Sequence, residues 1–134
     1  MSRGRQTHIA PNSRAAVPLW NDRPEAWHEV LPGVKRRILT DGPEVMLVLY
    51  EIAPNSRFPL HSHPHVQAGF FLEGGGQFRV GDETWTMVKG SAYHVAGGVP
   101  HELLTYSAGR SVILDVFSPR RDDFLPEVLG PDRP

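Results

Sequence analysis

The chain has 134 residues, 14 basic and 15 acidic side chains for a formal net charge of −1, and no cysteine. This length is typical of one domain with a single core, and the balanced charge argues against nucleic acid or an anionic membrane as the main partner. Without cysteine there is no disulfide or thiolate ligand, so any bound metal must be held by nitrogen and oxygen. Thirteen glycines and thirteen prolines favour many turns between short strands over a helical bundle.

Residues 1–19 carry three arginines and no acidic residue, and no apolar run of signal-peptide length follows them. We expect this segment to be a tail or an added edge strand. Residues 9–14 recur identically as residues 52–57, but the flanking sequences do not repeat, which favours a single domain. The longest apolar run, residues 45–50, is too short to span a bilayer, so we expect a cytoplasmic protein.

Short strands separated by turn residues are predicted from residue 20 onward. Residues 45–52 are apolar on both faces, which is typical of a buried strand. Further strands are predicted at residues 34–39, 67–72, 77–80, 84–88, 103–106 and 111–117. About ten short strands with almost no amphipathic helix predict an all-β fold, an antiparallel β-barrel or jelly roll, over residues 20–125. Residues 120–134 are expected to cross the barrel surface as irregular chain, of which residues 126–134 form a C-terminal tail.

Five of the seven histidines lie between positions 61 and 101. In an extended segment alternate side chains point the same way, so His61 and His63 share a face. Gln67 opens the next strand and can return to the same pocket, while His101 would close the site from a distant strand. Imidazole is a common ligand of transition metals, so the pattern favours a metal site over surface histidines that bind nothing.

Two motifs carry a resemblance to a known family. The first reads His-x-His-x3-Gln-x6-Gly and ends at Gly74, and the second reads Gly-x5-Ala-x-Gly-x2-His and ends at His101. Together they resemble the two motifs of the cupin superfamily of small metal-binding β-barrels. The resemblance implies a single cupin domain that holds one divalent metal ion through His61, His63, Gln67 and His101.

Gln67 stands where most cupins have Glu, and this departure bears on the chemistry. Three neutral histidines and a neutral amide leave a divalent ion its full charge, which favours Lewis-acid work on a carbonyl, enolate or alkoxide. Zn, Mn, Ni and Fe all suit these donors. Two further departures, Ala96 for Pro and Thr105 for Asn, are expected to affect only turn and strand detail.

Asp115 stands in the otherwise apolar final strand. Alternation places Ile113, Asp115 and Phe117 on one face, and a carboxylate there costs free energy unless it has a partner or a task. One interpretation is a structural ion pair with a barrel arginine such as Arg36 or Arg37. The other places Asp115 in the cavity near the metal as a general acid/base.

A closer resemblance covers about residues 27–125. Its segments are residues 33–37, 61–67, 99–101 and 115–121. In this order they resemble the KdgF group of small single-domain pectin-degradation cupins, although Val66 stands where that group often has Glu. The resemblance implies conversion of unsaturated monouronic acids into linear keto sugars, with Asp115 as acid/base, Phe117 as a substrate contact and Arg121 as the partner of the uronate carboxylate.

Three functions stay open at this point. The leading hypothesis is a metal-dependent isomerase or ring-opening enzyme that acts on a small oxygenated acid. Similar small cupins also serve as polyketide cyclases and as metal-dependent dioxygenases, and a non-catalytic small-molecule-binding module is the third hypothesis. Asp115 and Arg121 favour catalysis over binding alone. Because cupins often form dimers, the resemblance also implies a homodimer, to which the N-terminal segment could add a strand.

Overall fold

A computed structural model describes residues 27–129. This part of the chain consists of ten strands, a 3-10 turn and one short helix. The elements are β1 (His28–Leu31), β2 (Val34–Asp41), β3 (Met46–Ile52), β4 (Arg57–His61), β5 (Val66–Glu73), β6 (Gly76–Val80), β7 (Glu83–Met87), β8 (Ala92–Val95), β9 (His101–Thr105), β10 (Ser111–Ser118), the 3-10 turn (Asp122–Phe124) and α1 (Leu125–Leu129). Within residues 27–129, no helix has the length and apolar character needed to cross a membrane.

The strands form two antiparallel sheets. A six-stranded sheet has the order β1-β2-β3-β10-β5-β8, and a four-stranded sheet has the order β4-β9-β6-β7. The main core cluster draws on both of them, with Val48, Phe71 and Ile113 from the larger sheet and Phe78 and Leu103 from the smaller one. The core therefore lies between the two sheets, and the predicted all-β barrel architecture is confirmed.

Strand β10 lies at the centre of the six-stranded sheet, between β3 and β5. Burial alternates along it, and Ser111, Ile113, Asp115 and Phe117 are the buried positions. The predicted shared face of Ile113, Asp115 and Phe117 is confirmed. Asp115 pairs with Gly69 of β5, so its carboxylate emerges from the middle of the sheet and not from an edge.

The chain after β10 differs from the irregular run expected for residues 120–134. Residues 122–129 form the 3-10 turn followed by α1, and the amide of Phe124 donates to the carbonyl of Arg121 at 3.0 Å. The physical reason is Phe124, which is only 3% exposed and joins the core cluster. The burial of this ring anchors a segment that is otherwise rich in charged residues. The tail or edge strand expected at residues 1–19 lies outside the described residues.

Candidate metal centre and its cavity

Three of the predicted ligands are brought together by the pairing of β4 with β9. His61 ends β4 and lies opposite His101, which begins β9, while His63 follows two residues after His61. The ring of His101 is centred 4.3 Å from the His61 ring and 4.9 Å from the His63 ring. One ring nitrogen of each histidine lies within 4.8 Å of the others, which is close enough for one ion to contact all three.

The two loops that present these histidines touch each other directly. The amide of Gly98 donates to the carbonyl of His63 at 2.8 Å, and Gly98 has a φ of +82° that favours glycine. At the neighbouring Gly97, an added Cβ would meet the carbonyl oxygen of Pro64 at less than 3.0 Å. Gly97 is therefore needed for the close approach of the loop that precedes His101, and Gly98 is needed for its left-handed backbone.

Each imidazole of the cluster is oriented by a main-chain carbonyl two residues away. Nδ1 faces this carbonyl at 2.8 Å for His61 and Pro59, at 2.8 Å for His101 and Val99, and at 3.1 Å for His63 and His65. A carbonyl oxygen only accepts, so the hydrogen of each neutral ring sits on Nδ1 and the lone pair sits on Nε2. Histidine ligands of metal proteins are oriented by outer hydrogen bonds of this kind.

The Nε2 atom of His101 is buried and has no hydrogen-bond partner. A buried polar atom without a partner is costly, and the whole residue is only 2% exposed. Burial lowers the pKa of His101 to about 4, and it also lowers the pKa of His63. Both rings are therefore neutral at pH 7, the protonation state that a metal ligand needs, and the cluster fits a bound ion.

Gln67 lies beside the cluster with its amide held in one orientation. Its Nε2 donates to Oδ2 of Asp115 at 3.0 Å, which turns its Oε1 toward His63, where it lies 3.0 Å from the ring Nε2. When the His63 hydrogen sits on Nδ1, both facing atoms are acceptors. Two acceptors cannot form a hydrogen bond with each other, but at this separation both can contact one cation. This arrangement agrees with the ligand role predicted for Gln67.

Asp115 is 3% exposed and accepts hydrogen bonds from the Tyr93 hydroxyl and the Gln67 amide. Burial raises the pKa of its carboxyl to about 7, although the two hydrogen bonds act in the opposite direction. The ion pair with Arg36 considered from the sequence is wrong, because Arg36 pairs with Glu127 through Nε at 3.0 Å and Nη2 at 2.5 Å. Asp115 is thus held by neutral donors next to the histidine cluster.

A cavity of about 310 Å³ opens between the sheets beside the cluster. The predicted residues that line it are His61, Gln67, His101, Asp115, Phe117 and Arg121. The His63 ring is buried and packs edge-on against Phe117 at 5.7 Å. The predicted residues therefore meet in and around one cavity, which contains both apolar and charged walls.

Arg121 reaches the cavity from just beyond β10. Its side chain is 13% exposed, and Asp123 accepts from its Nε at 3.0 Å and from its Nη2 at 2.9 Å. Its guanidinium lies over two rings, 5.0 Å from the centre of Phe117 and 4.2 Å from the centre of Phe124. These contacts hold a cation at the cavity wall, where it can meet a carboxylate.

Several residues that line the cavity were not identified as site residues from the sequence, among them Arg36, Tyr50, Tyr93 and Phe124. Tyr50 and Tyr93 stand in strands where a core aromatic residue gives the same pattern. Arg36 and Phe124 belong to segments about 90 residues apart, which meet because α1 brings Glu127 to Arg36. The pairing of Tyr93 with Gly69 of β5 becomes visible only in the sheet order, so Tyr93 gave no signal in the sequence.

The fold and the histidine cluster define a small barrel of the cupin type. The family described as Cupin domain matches residues 48–117, more than half of the chain, and the chain belongs to this family. Among its relatives is the pectin degradation protein KdgF of Dickeya dadantii (strain 3937), which is 31% identical over 100 residues, 74% of this chain and 90% of that protein.

Comparison with solved structures also finds cupins. The structure of KdgF from Halomonas sp. is similar with a TM-score of 0.69 and 28% identity, over 73% of this chain and 89% of that one. An RmlC-like cupin from Shewanella frigidimarina has a TM-score of 0.69 and 26% identity, over 73% of this chain and 86% of that one. The predicted resemblance to the KdgF group and the predicted cupin fold are confirmed.

Proposed function

We propose that the protein is a metal-dependent cupin enzyme that opens the ring of a small unsaturated uronate to a linear keto acid. The observation that carries this proposal is the cluster of ring nitrogens from His61, His63 and His101 within 4.8 Å of one another, with the Gln67 oxygen 3.0 Å from His63 and the buried Asp115 carboxylate beside it. The likeness to KdgF supports the substrate class, because that relative is a pectin degradation protein.

The ligand set determines what a bound ion contributes. His61, His63, Gln67 and His101 would hold one divalent ion, which supplies Lewis-acid polarisation of a substrate oxygen. An imidazole that binds through Nε2 and the Gln67 amide are both neutral ligands, and the Nδ1 atom of each ring faces a main-chain carbonyl, which leaves Nε2 for the ion. The donors suit zinc, manganese, nickel or iron, and the identity of the metal stays open.

Binding and orientation are assigned to the cavity wall. Arg121 pairs with the carboxylate of the substrate, because its guanidinium lines the cavity and is held in place by Phe117, Phe124 and Asp123. Phe117 supplies an apolar surface for the ring. The cavity volume of about 310 Å³ suits a monosaccharide-sized acid and excludes a polymer chain from its interior.

Asp115 is assigned the proton transfers. Opening a cyclic unsaturated hemiacetal requires a proton to leave the anomeric hydroxyl as the bond between the ring oxygen and that carbon breaks. The ring oxygen keeps the electrons of that bond as an enolate, and one proton must reach the enolate carbon so that the ketone forms, which leaves the overall number of protons unchanged. One carboxylate with a pKa raised by burial to about 7 suits both transfers, because it can accept and return a proton near neutral pH.

The test is turnover of an unsaturated monouronate followed by NMR, with Asp115→Asn beside the wild type. We expect turnover to fall about 100-fold or more while fold and metal content persist, the usual scale for losing a general acid/base. Asp82→Asn, in an exposed turn, is the matched control. An active wild type with an equally active Asp115→Asn variant would remove Asp115 from the mechanism.

A panel of diketone and polyketide substrates belongs in the same assay. Turnover of that panel instead of the uronate would favour the cyclase hypothesis, and dioxygen consumption would favour a dioxygenase. A wild type that binds these acids and converts none of them would favour a binding module. We also propose a homodimer and a cytoplasmic location, both of which stay predictions.

A further inference from the structure

A row of three residues crosses the six-stranded sheet beside the metal centre. Asp115 of β10 pairs with Gly69 of β5, and Gly69 pairs with Tyr93 of β8. Paired residues of neighbouring strands project from the same face of a sheet. Tyr93 and Asp115 therefore flank Gly69 on the face that borders the cavity, and both line that cavity.

Gly69 is the reason that the outer two members of this row can touch. A Cβ added at Gly69 would lie closer than 3.0 Å to the Tyr93 ring, to its hydroxyl and to Oδ1 of Asp115. The phenol ring therefore fills the space above the glycine and reaches the carboxylate, to which its hydroxyl donates. Any other residue at position 69 would push the two groups apart.

Packing alone does not explain a tyrosine at this position. An aromatic ring over a strand glycine is a common way to stabilise a sheet, and phenylalanine would serve that purpose. The Tyr93 ring already has such contacts, with its centre 4.5 Å from that of Phe78 and 6.0 Å from that of Phe71. What the hydroxyl adds is the hydrogen bond to Asp115.

The two oxygens of Asp115 are thus fixed by donors from two different strands. Tyr93 donates to Oδ1, and Gln67 donates to Oδ2 at 3.0 Å. A carboxylate held at both oxygens cannot rotate about its terminal bond without breaking one of these hydrogen bonds. The same contact to Oδ2 orients the Gln67 amide, so the row continues to the proposed metal ligand.

We propose that Tyr93 is a positioning residue, which acts through Asp115 by fixing the plane of its carboxylate, and that Gly69 is the residue that makes this contact possible. The inference rests on the proposed function for the role of Asp115 in proton transfer. It adds a residue that no match to the cupin motifs identifies, and it explains why a glycine stands in the interior of a strand.

The first test is Tyr93→Phe, which removes the hydroxyl and keeps the ring packing. We expect kcat on the unsaturated monouronate to fall roughly tenfold, with KM changed less than about twofold and metal content unchanged, because a misaligned acid/base slows the chemical step without weakening binding. Tyr106→Phe is the matched control, since Tyr106 does not line the cavity. A Tyr93→Phe variant with wild-type kcat would overturn the proposal.

The second test asks whether Tyr93 acts through Asp115. In an Asp115→Asn background, Tyr93→Phe should cause less than about a twofold further loss of kcat, since residues that act as a unit have non-additive effects. A further loss as large as that in the wild-type background would show that Tyr93 acts independently of Asp115, and it would overturn the proposal.

A third measurement does not depend on turnover, so it keeps the inference separate from the proposed function. Crystal structures of the zinc-loaded wild type and zinc-loaded Tyr93→Phe report the carboxylate directly. We expect the Asp115 carboxylate to rotate in the variant and the Gln67 amide to shift with it. If the wild type converts no uronate, the proposed function fails, and the positioning role stands or falls on this comparison. An unchanged carboxylate in the variant would overturn it.

Discussion

Main-chain carbonyls near each histidine of the cluster determine which of its ring nitrogens is available to bind an ion. All three Nδ1 atoms are committed to carbonyls two residues away, so all three Nε2 atoms face the same region. For His101 this atom is buried without a partner. Burying an acceptor without a partner costs free energy, and a bound cation would remove this cost by contacting the acceptor.

The residue-scale prediction concerns metal content. Wild-type protein should carry one divalent ion per chain by elemental analysis, and His61→Ala/His101→Ala should carry close to none, because only one histidine of the cluster remains. His94→Ala is the matched control, since His94 is exposed on β8. A double variant that keeps full metal content would show that the ion binds elsewhere.

Acidification should release the same ion. Protons compete with the metal for Nε2, and the lowered pKa values of His63 and His101 make this competition weaker than for free imidazole. We therefore expect metal to be retained at neutral pH and lost only below about pH 6.

The sequence was sufficient to identify residues that follow a spaced motif or that differ in polarity from their neighbours. His61, His63 and His101 follow a motif, and Asp115 stands out in an apolar strand. Tyr93 could not be identified in this way, because a half-buried tyrosine in a strand reads as packing until its partner across Gly69 is known. Its role depends on the order of strands in the sheet, which local sequence does not encode.

At the scale of elements, the segment after β10 closes one side of the cavity. Phe124 lies between two guanidinium groups, 3.5 Å from Arg36 and 4.2 Å from Arg121. Glu127 of α1 pairs with Arg36 across the barrel, and the two side chains are only 14% and 17% exposed. This clasp of Arg36, Phe124 and Glu127 joins the C-terminal segment to β2.

The clasp predicts a stability effect. Glu127→Gln should lower the free energy of unfolding by about 1–3 kcal/mol, because it leaves the Arg36 guanidinium largely buried without its charged partner. Urea unfolding measures the change, with Glu83→Gln, an exposed strand residue, as control. Equal midpoints for the two variants would show that the ion pair contributes nothing beyond a surface pair.

Several elements were not anticipated from the sequence, and for two of them, β4 and α1, the structure gives a physical reason. Strand β4 contains Pro59, which argues against a strand, but its pairing with β9 is irregular between Phe58 and His61 and accommodates the proline there. Helix α1 has only five residues and forms through its tertiary contacts, which no local periodicity reports.

At the scale of the whole molecule, the outer face of the six-stranded sheet carries an apolar strip beside a charged row of Lys35, Glu51 and Glu73. Leu49, Leu114 and Phe70 lie side by side across β3, β10 and β5, and Leu47 and Val116 form a parallel row. Phe70 is 42% exposed. Leu49 is buried, so Phe70 is the exposed member of this strip. A large apolar side chain exposed beside partly buried apolar neighbours suits the predicted homodimer.

The homodimer is tested by light scattering after size-exclusion chromatography. Wild type should elute as a dimer, and Phe70→Glu should shift it toward the monomer, because a buried charge at a packed interface is unfavourable. Trp85→Glu, on the other sheet and 53% exposed, should leave the mass unchanged. A wild type that is monomeric at every concentration would contradict the prediction.

We propose that the cavity between the sheets is a metal-dependent site for opening an unsaturated uronate. The most direct measurement strips the protein of metal with a chelator, removes the chelator and follows turnover of an unsaturated monouronate by NMR while zinc, manganese, nickel or iron(II) is added back. We predict that stripped protein gives only the uncatalysed rate, and that turnover returns with one of these ions and saturates near one equivalent per chain. Turnover by the stripped protein equal to that of the reloaded protein would show that ring opening does not depend on a bound metal.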